Sequence, residues 1–163
     1  MTYPPNRVVV GISDMRVSTS PRDLLITYSL GSCVALAVYD PDNGVGGLVH
    51  CLLPLARLAP KKAEVTPAMF VTTGVSALIR QMFRKGAKRG NLVLKAAGGA
   101  HMLGLAGAFD TGARNTAALC RLLEKNELPL SAHEFGGTVP RTFSLDMRDG
   151  SVVVKSLGKE KAL

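Results

Sequence analysis

Apolar and polar positions fall into short runs separated by turn-forming residues, with only two long stretches at helical spacing. Val34 to Tyr39 is an unbroken apolar run. It is too short and too rich in Val for a helix and predicts a buried strand. Asp40-Pro41-Asp42-Asn43-Gly44 predicts a turn, because Asp suits the first position, Pro presets the second, and Asn or Gly tolerates positive φ. Val45 to Leu53 returns as the partner strand, and Gly46-Gly47 leaves room for a bulge or a close backbone approach. Arg7 to Ile12 and Asp23 to Tyr28 predict two earlier strands, joined by a polar connection from Ser13 to Arg22. In the second of them Leu24, Ile26 and Tyr28 alternate with Asp23, Leu25 and Thr27.

Beyond the hairpin, Leu55 to Val65 reads as a loop. Thr66-Pro67 predicts a helix start, with Thr66 as N-cap and Pro67 in the first turn. Val71, Val75, Leu78, Ile79 and Met82 then mark its apolar face, and Gly86 its stop. Leu92 to Ala97 predicts a strand ending in a tight Gly98-Gly99-Ala100 turn, followed by His101 in an exposed loop. Thr111 to Asn126 predicts the second helix, with Ala117, Cys120 and Leu123 facing the core. Leu128 to Phe135, Arg141 to Met147 and Ser151 to Leu157 read as the last strands, the final two joined at Asp149-Gly150. A tail from about Gly158 is expected to fray. Strands clustered in hairpins with two long helices predict an α+β fold in one domain over residues 1–163.

Composition narrows the class. The chain has 163 residues, 47% of them hydrophobic, which suits a sizeable core. No apolar run approaches the ~18 residues of a spanning helix, and Met1 to Pro5 lacks a signal-peptide h-region, so membrane insertion is not expected. Three Cys at irregular spacing make no disulfide framework and fit a reducing, cytoplasmic setting. The net charge of +8 invites a nucleic-acid reading. Aromatics are only 5%, too few for stacking platforms, and the densest basic stretch, Arg80 to Arg89, lies at a helix end where cations suit the dipole. A basic surface serves an acidic protein partner equally well.

The central hairpin carries the candidate chemistry. A two-residue loop at Pro41-Asp42 pairs Asp40 with Asn43 and sets Cys33 opposite His50, with Cα atoms roughly 4.5–5.5 Å apart. One more loop residue sets Cys51 opposite Cys33 instead. A thiol beside an imidazole is the minimum apparatus for thiol nucleophilic catalysis. Buried packing is the plainer account of a lone Cys or His at a strand. Zinc held by Cys33, His50 and Cys51 is a further option, disfavoured because no Cys-x-x-Cys or second tight ligand pair accompanies them. Neither a metal nor a cofactor is expected.

Leu30-Gly31-Ser32-Cys33, the Asp40-Pro41 turn, Gly46-Gly47 before His50 and Leu53-Pro54 after it resemble the CheD family, chemoreceptor glutamine deamidases of bacterial chemotaxis. Lys95 to Ala100, Gly112-Ala113-Arg114-Asn115 and Gly136-Gly137 with Arg141 resemble that family's later segments, in the same order. The resemblance implies Cys33 as nucleophile, His50 as base and Thr27 as the group orienting His50. It implies a layered sandwich of two sheets flanked by helices, shared with cysteine-dependent deamidating toxins. It also implies receptor cytoplasmic helices as substrate and a CheC-type phosphatase as partner. Backbone N–H groups around Gly31, Ser32 and Cys33 are the expected substrate-oxygen donors. Phe70 and Thr72 stand where the family carries Tyr-x-Asp, which leaves a non-catalytic adaptor as the alternative function. A cysteine hydrolase acting on some other substrate is the third.

Overall fold

The computed structural model describes residues 3–102 and 110–163. Ten strands occur in chain order: β1 (Asn6–Val9), β2 (Asp14–Ser18), β3 (Asp23–Leu30), β4 (Val34–Asp40), β5 (Val45–Cys51), β6 (Val93–Gly98), β7 (Leu130–Phe135), β8 (Arg141–Asp146), β9 (Val152–Ser156) and β10 (Lys159–Ala162). Three α-helices accompany them among the described residues: α1 (Pro60–Val65), α2 (Val71–Arg84) and α3 (Thr111–Lys125). The strands form two mixed five-stranded sheets, ordered β1-β3-β8-β9-β10 and β2-β5-β4-β6-β7. The β1–β3 and β6–β7 pairs are parallel and the other pairs antiparallel. The α+β class is as expected from the sequence.

Two apolar cores organise the layers. One lies between the sheets, where Leu25, Phe143, Leu145, Val152 and Val154 of the first meet Ala35, Ala37, Leu48 and Ala97 of the second. The other lies between the second sheet and the helices, where Val34, Leu36 and Val49 meet Val75, Leu78, Met82, Leu119 and Leu123. Both long helices therefore cover one face of the second sheet, so the order is sheet, sheet, helices. Strand β4 is buried along its whole length because both of its faces are covered. That explains its unbroken apolar run. Gly46 and Gly47 permit the close layering: a Cβ on Gly46 would overlap Met147, and one on Gly47 would come within 2.8 Å of Leu78.

Several expectations need correction. The β4–β5 loop is longer than two residues, with Asp40 paired to Val45. Asp40 caps that loop by accepting from the N–H groups of Asp42 and Asn43 at 2.9 and 3.0 Å. Asn43 Nδ2 and the Lys88 N–H also donate to it. Ser13 to Arg22 contains strand β2, which alternates too weakly to be legible: all five of its residues are only partly buried or exposed. The Leu55–Val65 loop contains α1. Thr66 does not start the long helix: it precedes the 3-10 turn Pro67–Met69 without a side-chain capping bond, and α2 starts at Val71. The tail is not frayed, since Lys159–Ala162 pair antiparallel with β9. The buried face of α3 lies a residue or two away from the one its apolar spacing predicts. Its buried positions are Gly112, Asn115, Ala118, Leu119 and Leu123, and Cys120 is exposed rather than core.

Candidate active site

Strand β3 supplies the first site residue. Regular pairing with β8 runs from Leu24 to Thr27, which sits opposite Phe143, and then jumps so that Leu30 faces Arg141. The one extra residue on β3 forms a bulge, and Ser29 takes φ 56° within it. A bulge re-aims a strand locally. Here it leaves Tyr28 and Ser29 exposed while Thr27 and Leu30 are both buried. Thr27 thus faces inward at the point where the chain leaves for Gly31-Ser32-Cys33.

Strand β5 supplies His50, which pairs with Ala35 of β4 and Asp14 of β2. Cys33 is therefore not directly opposite His50, as the shorter loop predicted, but two residues along from its partner. The register differs from the expected one by two positions, and strand side chains repeat every two, so the face is unchanged. Cys33 shares the inter-sheet core with Ala35 and Ala37, whereas Val34 and Cys51 belong to the helix-side core. Cys33 and His50 are diagonal neighbours on one face, a relation of roughly 7–8 Å between Cα atoms. Cys51 lies on the other face.

The Thr27 hydroxyl lies 2.7 Å from His50 Nδ1 and donates to the Val10 carbonyl at 2.6 Å. A carbonyl only accepts, so the single hydroxyl proton is committed to Val10. Nδ1 must then carry a hydrogen and donate to Thr27, which leaves Nε2 as the unprotonated nitrogen. Nε2 is buried and has no hydrogen-bond partner among the described residues. His50 is fully buried, and that burial lowers its pKa to about 4. The imidazole is neutral at pH 7. Burial also pushes the Cys33 thiol up, with its own backbone N–H pulling back less strongly. Cys51 is raised further, by burial first and by Cys33 second. The resting pair is thiol and imidazole, not an ion pair, and no hydrogen bond joins His50 Nε2 to Cys33.

The loop 31–33 is held by the glycine segments that follow it in sequence. The Gly99 N–H donates to the Cys33 carbonyl at 2.8 Å, and the Ala100 N–H to the Gly31 carbonyl at 2.9 Å. Asn115 Nδ2 donates to the Ser32 carbonyl and to the Leu52 carbonyl, each at 3.0 Å. Gly98 has φ 116°, and a Cβ there would overlap the Cys33 carbonyl oxygen. A Cβ on Gly112 would come within 2.6 Å of the carbonyl oxygens of Gly99 and Ala100, so α3 packs directly on this strap. The Gly136 N–H bonds the Gly98 carbonyl, and Arg141 Nη2 holds the Gly136 carbonyl at 2.6 Å. Met102 lies on Gly31, within 3.2 Å of where a Cβ would stand. His101 is exposed as expected and pairs with Asp110, the N-cap of α3.

The sequence marked Cys33, His50, Thr27, Gly31 and Ser32, and the structure brings them to one corner where the two sheets meet, Thr27 from the first sheet and the others from the second sheet and the loop before β4. It did not mark Asn115 as a site residue. Two signals were available: its place in the Gly112-Ala113-Arg114-Asn115 segment and, with the helix in its true phase, a polar side chain on the buried face of α3.

The fold and this corner define an α+β protein with a buried Thr–His pair beside a strapped cysteine loop. A family model described as CheD chemotactic sensory transduction matches residues 52–156. The chain is also similar to curated proteins over almost its whole length. It is 39% identical over 157 residues to the probable chemoreceptor glutamine deamidase CheD of Solibacter usitatus, covering 96% of this chain and 93% of that one. It is 40% identical over 151 residues to a CheD of Syntrophus aciditrophicus with the same description, covering 93% and 94%. With that of Symbiobacterium thermophilum it shares 40% over 153 residues, covering 92% of each. The chain belongs to the CheD family.

Proposed function

We propose that this protein hydrolyses glutamine side-chain amides on chemoreceptor cytoplasmic helices, as one cysteine-dependent deamidase domain. The observation that carries the reading is the Nε2 of His50, fixed as the basic nitrogen by Thr27, without a hydrogen-bond partner among the described residues, and lying on the sheet face that Cys33 shares. The names of the relatives supply the substrate class.

In the reaction, Cys33 Sγ attacks the amide carbon while His50 Nε2 takes the thiol proton. The carbonyl oxygen becomes an oxyanion, held by the N–H groups of Ser32 and Cys33. The intermediate collapses, the C–N bond breaks, and the imidazolium gives its proton to the departing ammonia. His50 then deprotonates water, which attacks the thioester and releases glutamate and the free thiol. A histidine with so low a pKa is a strong acid once protonated, which suits protonation of the leaving group. It is a weak base toward a thiol raised by burial, so a slow nucleophilic step is expected. Thr27 stabilises the imidazolium less than a carboxylate would, which points the same way.

The layering of two sheets with helices on one side is compatible with the shared fold of cysteine-dependent deamidating toxins that the family resemblance implies. A cytoplasmic setting and a CheC-type phosphatase partner belong to the same reading. The test is incubation with purified receptor cytoplasmic fragment and mass analysis. Each converted glutamine gains ~1 Da, NH₂ being replaced by OH. Cys33→Ala should bind the fragment and leave its mass unchanged. Unchanged mass with the wild-type protein would favour an adaptor. That alternative draws on Phe70 and Thr72, yet Thr72 still accepts a hydrogen bond, from the Ala56 N–H at 3.0 Å.

A further inference from the structure

We propose that Asn115 is a positioning residue for the oxyanion donors, acting through the Ser32 carbonyl that its amide holds. This rests on the deamidase reading above and adds a residue to it.

Three consecutive carbonyls of the nucleophile loop each accept a hydrogen bond: Gly31 from the Ala100 N–H, Ser32 from Asn115 Nδ2, and Cys33 from the Gly99 N–H. A trans peptide is planar, with its N–H opposed to its C=O. The described peptide bonds are trans. Pinning the Gly31 and Ser32 carbonyls toward β6 and α3 therefore turns the N–H groups of Ser32 and Cys33 the other way. Neither N–H has a hydrogen-bond acceptor on another described residue. Two of the three tethers are backbone groups that a side-chain change cannot remove. The third, on the peptide that carries the Cys33 N–H, is a side chain.

The Asn115 amide can be oriented in only one way. Both of its partners are carbonyl oxygens, which accept only, so the NH₂ must face them. The side chain is fully buried, and its Oδ1 has no partner among the described residues. The second amide hydrogen bonds Leu52, just beyond β5, so one side chain also fixes the loop relative to the strand that carries His50.

The experiment compares two reactions of Cys33 in a Cys120→Ser background. Alkylation by iodoacetamide displaces iodide from a saturated carbon and forms no oxyanion. Deamidation forms one. Asn115→Asp keeps the shape but lacks the donor, and Asn115→Ser is the smaller alternative should the carboxylate prevent folding. The expected result is an alkylation rate within about twofold of wild type, an unchanged KM, and a kcat lower by about a hundredfold. Affinity for a glutamine-mimicking peptide aldehyde, whose hemithioacetal oxygen occupies the same donors, should fall in parallel. Equal loss of alkylation and deamidation would overturn the assignment, leaving Asn115 as a support for Cys33 or the fold. Full kcat in either variant would overturn it too. If neither variant folds, the wild-type protein decides: aldehyde binding should move the Cys33 amide proton downfield, and an unmoved resonance sinks the proposal. Failure of the deamidase reading looks different, because wild-type protein would then convert no glutamine.

Discussion

At the residue scale the site depends on who holds each proton. Thr27 uses its one hydrogen on Val10 and so can only accept from His50. Thr27→Val keeps the methyl and the shape but strands the Val10 carbonyl and Nδ1. It should lower kcat at least tenfold and cost about 1–3 kcal/mol of stability for buried unmet groups, read from a urea melt. Thr27→Ser should keep most of both; equal losses in the two variants would make Thr27 a packing residue only. His50 carries a pH signature. Its folded pKa of about 4 lies below the unfolded value of 6.5, so unfolding takes up a proton between them. The stability it lends is fully present above pH 6.5 and is lost as pH falls through the folded value, by roughly 3 kcal/mol in all. His50→Gln should flatten the fall in Tm between pH 6.5 and 4.5, and a slope identical to wild type would mean other groups carry it. Cys33 and His50 were legible as neighbours because the hairpin sets them on one face of the sheet, whereas the role of Thr27 came from the family resemblance and not from its strand. Asn115 was not legible, because a helix phase error hides a buried polar residue among apparent surface positions.

At the scale of elements, the tightest local device is the bulge in β3. It changes the register between Thr27 and Leu30 and lets both residues face inward. Ser29 makes that change at φ 56°, where a β-branched side chain is strongly disfavoured. Ser29→Val should destabilise by about 1–2 kcal/mol and lower kcat with it, because the misplaced stretch leads directly to Cys33. A stable and fully active Ser29→Val would mean the bulge tolerates another backbone. The β4 run and the α2 face were legible because burial on both faces, or on one helical stripe, leaves a strong apolar pattern. Strands β2 and β10 were not. Each is an edge strand with no fully buried residue, so its pairing is backbone business that side chains do not record. Asp40, accepting from Asp42, Asn43 and Lys88, holds a wider loop than either of the two that turn propensity suggests. That loop is two residues longer than the two-residue turn, which keeps Cys33 and His50 on one face; a loop longer by one would have separated them.

At the scale of the whole molecule, hairpins and two amphipathic helices made the α+β class legible, but not the stacking of both helices on one sheet face. Charge placement also emerges only here. Lys88, within the basic stretch, bonds Asp40 through its N–H, while Cys33 precedes the first residue of β4. The seven residues of that strand separate the two ends by roughly 20 Å. That is about two Debye lengths at 0.1 M salt, so the basic stretch does not bear on the chemistry. The groups at the site are themselves neutral at pH 7, with a protonated Cys33, an uncharged His50, Thr27 and Asn115. Salt should therefore act on docking and spare catalysis. With a small glutamine peptide, kcat should stay within twofold between 50 and 300 mM salt. With an acidic receptor fragment, KM should rise over the same range, and reversing the charge of Arg84, Lys85 and Lys88 should flatten that rise without changing kcat on the peptide. A peptide kcat that falls with salt would instead place a charged group within reach of the reacting amide.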